Sequence, residues 1–170
     1  MGLAFEVRPT GVDELAAGEP RAVAAENARR KALAVDAADR LVLGADTLVT
    51  VDGDILGKPR DAAEAAAFVA RLAGRTHQVI GGIALARDGA VIAEHVEVTG
   101  VRFRPLDPAE IDAYVALGEW EGRAGGYAIQ GRGAALVYGV EGDYLNVVGL
   151  PLARLLDLLP HADLQQVFGD

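Results

Sequence analysis

The 170-residue chain contains neither cysteine nor serine. The lack of cysteine excludes disulfides, zinc–thiolate sites and cysteine nucleophiles, and the lack of serine excludes a serine nucleophile. No segment approaches the roughly 18 uninterrupted apolar residues that span a membrane. The first residues also lack the basic region and apolar core of a signal peptide. We therefore expect a cytoplasmic protein that does not enter a membrane.

Basic residues are in deficit, with 16 Lys and Arg against 25 Asp and Glu, for a net charge of −9. This balance disfavours DNA and RNA as partners. A small anionic substrate stays compatible if lysines and a divalent metal gather in one cleft. The three histidines, His77, His95 and His161, show no metal-ligand spacing, so we interpret them as structural or exposed. The chain length predicts one domain over residues 1–170.

The chain is organised around residues 41–59, LVLGADTLVTVDGDILGKP. The Val- and Leu-rich run predicts a buried strand. Asp46 then requires a cation or a hydrogen-bond donor, because an unpaired buried carboxylate costs several kcal/mol, by a rough rule. The turn residues Asp52 and Gly53 predict a hairpin, which brings Lys58 back toward Asp46. This stretch alone leaves two interpretations open, a structural ion pair or a reactive cleft.

Helix and strand signals alternate early in the chain, and hairpins dominate later. Helices are predicted at residues 20–35, 61–72 and 108–117 and from Pro151 onward. Strands are predicted at residues 4–8, 41–51, 54–56, 78–87, 90–103, 134–140 and 144–148, with 41–51 as the central strand and 161–170 as a loose tail. The pattern indicates an α/β (α+β) domain, a mixed β-sheet with flanking helices.

The side chains that could carry chemistry are carboxylates, amines and amides. Each has a structural alternative: a helix lysine can be solvated, an acid beside Asp13 can be surface charge, and an amide can cap a strand. Adjacent acids in a loop also suit a divalent cation with oxygen ligands. The candidates are Glu14, Lys31, Asp46, Thr47, Lys58 and Gln130.

Residues 122–133, GRAGGYAIQGRG, are rich in glycine. They contain neither GxGxxG after a strand nor a Walker loop, so the familiar phosphate motifs are absent. So many glycines imply turns with positive φ or a close approach of the backbone to another group. Backbone groups and Gln130 could contact the edge of a base or a sugar there.

Five motifs, in this order, carry a family resemblance: GADTLV, GKP, GRTH, EGRAGGYAIQG and GDYLNVVGLPL. Together they resemble the Maf family of nucleoside triphosphate pyrophosphatases, from about Ala4 to Leu158. The resemblance implies the elongated α/β architecture shared with inosine triphosphatases. It also implies cleavage of a nucleoside triphosphate between the α and β phosphates, a divalent metal (Mg²⁺ or Mn²⁺) and a homodimer.

The resemblance also implies roles for individual residues. Asp46 matches the family's proposed catalytic acid, which accepts a proton from water. Glu14, Lys31 and Lys58 match the charged cleft around it, and Glu14 and Asp46 are the expected metal ligands. Thr47 after the Asp, together with the Gln of IQG, matches the branch that takes dTTP and UTP.

One departure concerns the N-terminus. The family begins with a strand, a Ser- and Arg-containing SPRR loop and a helix, and this chain starts about where that helix ends. The start codon could lie too far downstream, the chain could be a piece of a longer protein, or this homologue could have lost part of its site, and we expect the missing arginine to weaken activity. Two rival functions follow: a nucleotide-binding or division-regulating protein without catalysis, and a purely structural protein, which the retained charged residues argue against.

Overall fold

The structure is a computed structural model that describes residues 5–37 and 40–159. The α-helices are α1 (Pro20–Leu33), α2 (Ala62–Leu72), α3 (Pro108–Val115), α4 (Tyr144–Val148) and α5 (Leu152–Leu158). The strands are β1 (Val42–Val51), β2 (Asp54–Leu56), β3 (Thr76–Arg87), β4 (Ala90–Phe103) and β5 (Val137–Glu141). Short 3-10 turns lie at Ala124–Gly126 and Gly131–Leu136.

The five strands form one sheet in the order β2-β1-β3-β4-β5. The α/β class with flanking helices is confirmed. All four strand pairs are antiparallel, so the sheet is not mixed, and its middle strand is β3 rather than β1. Because β2 pairs only with residues 49–51, the outer edge of β1 from residue 42 to 48 has no partner strand among the described residues.

Helix α1 packs on β1 and β3 over glycines. A Cβ at Gly44 would lie 2.2 Å from the Ala28 carbonyl oxygen, and a Cβ at Gly82 would lie 2.3 Å from that of Ala24. Both distances are far below van der Waals contact, so only glycine allows the helix this close. Side chains alternate between the faces of a strand, so Asp46, two residues after Gly44, also faces α1.

The largest apolar core lies between the sheet and helices α2 and α3. It includes Val69, Leu72, Val101 and Phe103, each at most 1% exposed. An acid caps the start of each of these two helices. Asp61 accepts from the Glu64 N–H, and Asp107 forms a reciprocal capping box with Glu110, which satisfies N–H groups that otherwise lack partners.

The strand predicted at residues 144–148 is wrong, because these residues form helix α4. Strand propensity favoured the Tyr, Leu and Val of this segment, but its caps favour a helical turn. Asp143 accepts from the Leu145 N–H, and Gly149 ends the turn with φ 129°. Asn146 is fully buried and donates to the Val79 carbonyl and the Thr99 hydroxyl, so tertiary contacts fix the helix on β3 and β4.

Two other strand predictions also fail in part. Residues 5–8 form no regular structure, because Phe5 and Val7 are 84% and 75% exposed and find no sheet to join. The strand predicted from residue 134 begins at Val137, because a 3-10 turn occupies Gly131–Leu136. Residue 4 and the predicted tail at 161–170 lie outside the described residues.

Candidate active site

Asp46 is 7% exposed, and both of its carboxylate oxygens have partners on α1. Lys31 Nζ lies 2.6 Å from Oδ1, and the Asn27 amide donates to Oδ2 at 3.0 Å. Asn27 and Lys31 are four residues apart, so they lie on one face of the helix. A carboxylate offers about four acceptor positions, so Asp46 can still accept a hydrogen bond from a further group such as water.

Glu14 joins this group from the loop before α1. One of its oxygens lies 2.7 Å from Lys31 Nζ, and the other lies 3.6 Å from Lys58 Nζ. The loop is fixed by Asn27, whose amide accepts from the Leu15 N–H at 2.7 Å and donates to the Leu15 carbonyl at 3.1 Å. One buried amide therefore holds both the Glu14 loop and the Asp46 carboxylate.

The sequence left open whether Lys58 forms an ion pair with Asp46, and the structure pairs each of them with another residue. The hairpin brings Lys58 into the same group, but its ion-pair partner there is Glu14, and the ammonium at Asp46 belongs to Lys31. Lys31 reaches Asp46 because α1 approaches β1 closely over Gly44. Lys58, by contrast, is exposed on the segment after β2.

Both members of the Lys31–Glu14 pair are held in their charged forms. Burial opposes the charge of Lys31, but its hydrogen bonds to Asp46 and Glu14 prevail and raise the pKa of the ammonium. The hydrogen bond from Lys31 lowers the pKa of Glu14 below its ordinary value. At neutral pH the group therefore presents fixed charges of both signs.

A cavity of about 470 Å³ opens beside this group. Asp46 and Thr47 both line it although they point to opposite faces of β1, and Val79 of β3 lines it as well. The charged and polar side chains around it include five of the predicted residues together with two further ones. They are Lys31, Asp46, Thr47, Lys58, Gln130, Glu119 and Arg123.

The glycine-rich segment forms the far wall of the cavity and is fixed at both ends. The Gly125 N–H donates to the Gly57 carbonyl at 3.0 Å, which places residues 123–126 beside Lys58. The Glu119 carboxylate accepts from the N–H groups of Arg132 and Gly133 at 3.1 and 3.0 Å. Gln130 lies at this second end, with its side chain exposed and in the cavity wall.

His77 supports the same wall from behind. It is 2% exposed, and its Nε2 lies 2.7 Å from the hydroxyl of Tyr127, which lines the cavity. Burial lowers the pKa of His77 to about 4, so the ring is neutral at physiological pH. His95 contacts Glu97 at 3.1 Å on β4. Both histidines are structural or surface residues, as predicted, and His161 lies outside the described residues.

The expected metal ligands lie close together. Glu14 and Asp46 both contact the Lys31 ammonium, and their carboxylate oxygens are ligands that Mg²⁺ and Mn²⁺ accept. Among residues 5–37 and 40–159, no group of three or more His, Asp and Glu side chains could hold a metal. The donor set thus fits a cation bound by one or two carboxylates together with substrate phosphates.

All six candidates are brought together, with Glu14 in contact with two lysines of the cavity wall. Lys31 is not a solvated helix lysine, and Gln130 makes no capping hydrogen bond with its side chain. Sequence reasoning missed Asn27 and Glu119 as supporting residues. The spacing of Asn27, one turn before Lys31, could have identified it, whereas nothing in the sequence indicates which amides Glu119 binds.

No helix within residues 5–37 and 40–159 is long and apolar enough to cross a membrane. Over 168 residues the chain is 51% identical to the dTTP/UTP pyrophosphatase of Anaeromyxobacter sp. (strain Fw109-5), covering 95% of this chain and 81% of that protein. It is 48% identical to the dTTP/UTP pyrophosphatase of Symbiobacterium thermophilum (94% and 84% covered). Identity to the dTTP/UTP pyrophosphatase of Pyrococcus furiosus is 43% (90% and 82% covered). Residues 1–162 match the family described as Maf-like protein, and the chain therefore belongs to that family.

Proposed function

We propose that the protein hydrolyses dTTP and UTP to the nucleoside monophosphate and pyrophosphate. The observation that carries the proposal is the setting of Asp46, a nearly buried carboxylate in the wall of a cavity that also holds Lys31, Lys58 and Gln130. The printed names of the relatives supply the substrate class. A cavity of about 470 Å³ falls within the usual range for small-molecule sites, roughly 300–1,000 Å³.

Asp46 acts as the general base. It accepts a proton from a water molecule whose oxygen attacks the α-phosphorus, the α–β bond breaks, and pyrophosphate leaves. Lys31 and Asn27 hold the carboxylate in a fixed orientation by their two contacts. General-base catalysis contributes about 10²- to 10⁴-fold.

Lys31 and Lys58 neutralise phosphate charge. The triphosphate concentrates negative charge that lysines in a cleft stabilise electrostatically, and Lys58 is exposed enough to move from Glu14 toward a phosphate. Glu14 and Asp46 would hold a divalent Mg²⁺ or Mn²⁺ ion, which would add charge neutralisation on the phosphates. Loss of turnover in EDTA and its return with either metal are the expected results.

Thr47 and Gln130 set the preference for pyrimidines. The Gln130 amide offers a donor and an acceptor, which suits the O4 and N3–H edge shared by uracil and thymine. These bases differ by a methyl group worth roughly 1 kcal/mol in an apolar pocket, so dTTP and UTP should be accepted similarly. Purines are disfavoured by size.

We propose that the protein is located in the cytoplasm, in keeping with a chain that has no cysteine. We also propose that it forms a homodimer with exposed apolar side chains at the interface.

The test is a panel of UTP, dTTP, CTP, ATP and GTP with Mg²⁺ or Mn²⁺, in which nucleotide products and pyrophosphate are both quantified. UTP and dTTP should give monophosphate and pyrophosphate in equal amounts. A purine preference, or release of orthophosphate with a diphosphate product, would contradict the proposal. Tight UTP binding without turnover would instead favour the nucleotide-binding regulator.

A further inference from the structure

The cavity holds one cation that the proposed reaction has not used. Three cationic side chains line it within the described part of the chain: Lys31, Lys58 and Arg123. Lys31 contacts two carboxylates and Lys58 contacts one. The Arg123 guanidinium forms no ion pair or hydrogen bond with any described residue.

Among the described residues, the Arg123 side chain has no acidic partner, as is also true of Arg21 and Arg132, but of these three only Arg123 lines the cavity. The chain carries nine more acidic than basic groups, and many arginines of the described surface are paired, such as Arg29 with Glu94 and Arg71 with Asp54. A guanidinium that lines a cavity and has no internal partner is available to an anion that enters it. Its planar donors fit two phosphate oxygens at once.

Arg123 lies next to Lys58, to which the proposed reaction assigns the phosphates. The hydrogen bond from the Gly125 N–H to the Gly57 carbonyl sets Arg123 beside the segment that carries Lys58. The other end of the glycine-rich segment carries Gln130 and is bound to the Glu119 carboxylate. The two exposed cations of the cavity wall are therefore neighbours, and Gln130, whose amide suits a base, lies further along the segment.

We propose that Arg123 binds the β and γ phosphates and stabilises the pyrophosphate leaving group. The proposal rests on the proposed function for the identity of the substrate. Charge on the β phosphate grows as the α–β bond breaks, so a donor aimed there stabilises the transition state more than the bound substrate. Arg123 thereby favours departure of pyrophosphate, while Asp46 acts on the water at the α phosphorus.

The test compares Arg123→Gln with Arg132→Gln. Arg132 lies on the same glycine-rich segment and is also exposed, but it does not line the cavity, so its variant removes the same charge elsewhere. Binding of pyrophosphate and of UMP to the whole chain is measured by titration calorimetry in the presence of Mg²⁺. Thermal unfolding of each variant checks that it folds.

Arg123→Gln should weaken pyrophosphate about ten- to a hundredfold, as expected for loss of one or two charge-assisted hydrogen bonds, while UMP affinity changes little. Arg123→Lys should recover part of the loss, because it restores the charge without the planar donors. In turnover of UTP, kcat should fall in Arg123→Gln and stay unchanged in Arg132→Gln.

Two results would overturn the assignment: equal pyrophosphate affinity in the two Gln variants, or an equal loss of UMP and pyrophosphate affinity in Arg123→Gln. Failure of the proposed function is a separate result. If the proposed function is wrong, the wild-type protein will release no pyrophosphate from UTP or dTTP. The pyrophosphate titration still tests the role of Arg123 in that case, because it does not require turnover.

Discussion

Asp46 illustrates how single contacts determine what a residue can do. Its carboxylate is nearly buried, yet the Lys31 ammonium and the Asn27 amide compensate the cost of burial. A buried charge without such partners is strongly destabilising. The same two contacts fix the orientation of the carboxylate in the cavity wall.

Replacing Asp46 with Asn should lower kcat by about 10²- to 10⁴-fold, because an amide cannot act as a general base. Affinity for UTP should change little, since the lysines remain in place. Asp54→Asn serves as the control, because Asp54 is an exposed acid on the same hairpin, paired with Arg71. Near-normal turnover in Asp46→Asn would contradict the base assignment.

His77 gives stability a dependence on pH. Its folded pKa of about 4 lies below the ordinary value of 6.5 because the ring is buried, so the unfolded chain binds more protons between these two pH values. The contribution of His77 to stability is therefore complete above pH 6.5 and is lost as pH falls toward 4. By the pKa difference, the loss amounts to roughly 3 kcal/mol.

The check is denaturant unfolding of the wild type and of His77→Gln at pH 7 and pH 4.5. The variant should be less stable at pH 7, because it disrupts the edge-on contacts of His77 with Phe103 and Tyr127. Its stability should fall less between the two pH values, since Gln does not titrate. Parallel losses in both proteins would rule out His77 as the source.

At the scale of elements, the approach of α1 to the sheet sets the geometry of the site. Asn27 and Lys31 reach Asp46 because α1 lies directly over Gly44 of β1 and Gly82 of β3. The two glycines thus matter for their small size, because it sets the distance between the helix and the strands.

Gly44→Ala should therefore reduce both stability and activity. Its Cβ would lie 2.2 Å from the Ala28 carbonyl oxygen and 2.5 Å from the Ala32 nitrogen, so the helix backbone must shift. Overpacking of this kind costs about 1–3 kcal/mol, and the shift moves Lys31 away from Asp46. Thermal unfolding and kcat measure the two effects.

Gly139→Ala is the matched control, because a Cβ at Gly139 on β5 meets nothing within 4 Å. It should leave both quantities close to the wild type. If Gly44→Ala retained full activity despite a lower melting temperature, the spacing of α1 would not control the site.

At the scale of the whole molecule, the exposed apolar side chains are relevant to association between copies of the chain. Tyr138, Tyr144 and Leu145 are 65%, 45% and 42% exposed, and they lie on and just after β5, the last strand of the sheet. Large exposed apolar patches commonly mark interfaces between proteins.

We expect light scattering at micromolar concentration to give twice the mass of one chain, in keeping with the proposed homodimer. Tyr138→Lys, on the surface of β5, should shift the equilibrium toward monomer if this surface forms the contact, whereas Ile92→Lys, exposed on β4, should not. A wild-type monomer at that concentration would contradict the dimer.

The sequence by itself determined most of the elements, because their signals are local. Asp61 and Asp107 cap helices, Asp52-Gly53 and Asp88-Gly89 make turns, and the motifs from GADTLV to IQG identify the family. It also indicated the six candidate residues. These conclusions depend on short stretches whose chemistry can be judged one segment at a time.

Tertiary structure alone decided which partners meet. Local propensity predicted a strand at residues 144–148, but burial of Asn146 between Val79 and Thr99 favours a helix there. The hairpin brings Lys58 toward Asp46, but the packing of α1 over Gly44 makes Lys31 the ammonium that contacts the carboxylate. Such pairings join residues distant in sequence, and their energy depends on how closely whole elements pack, which no local pattern records.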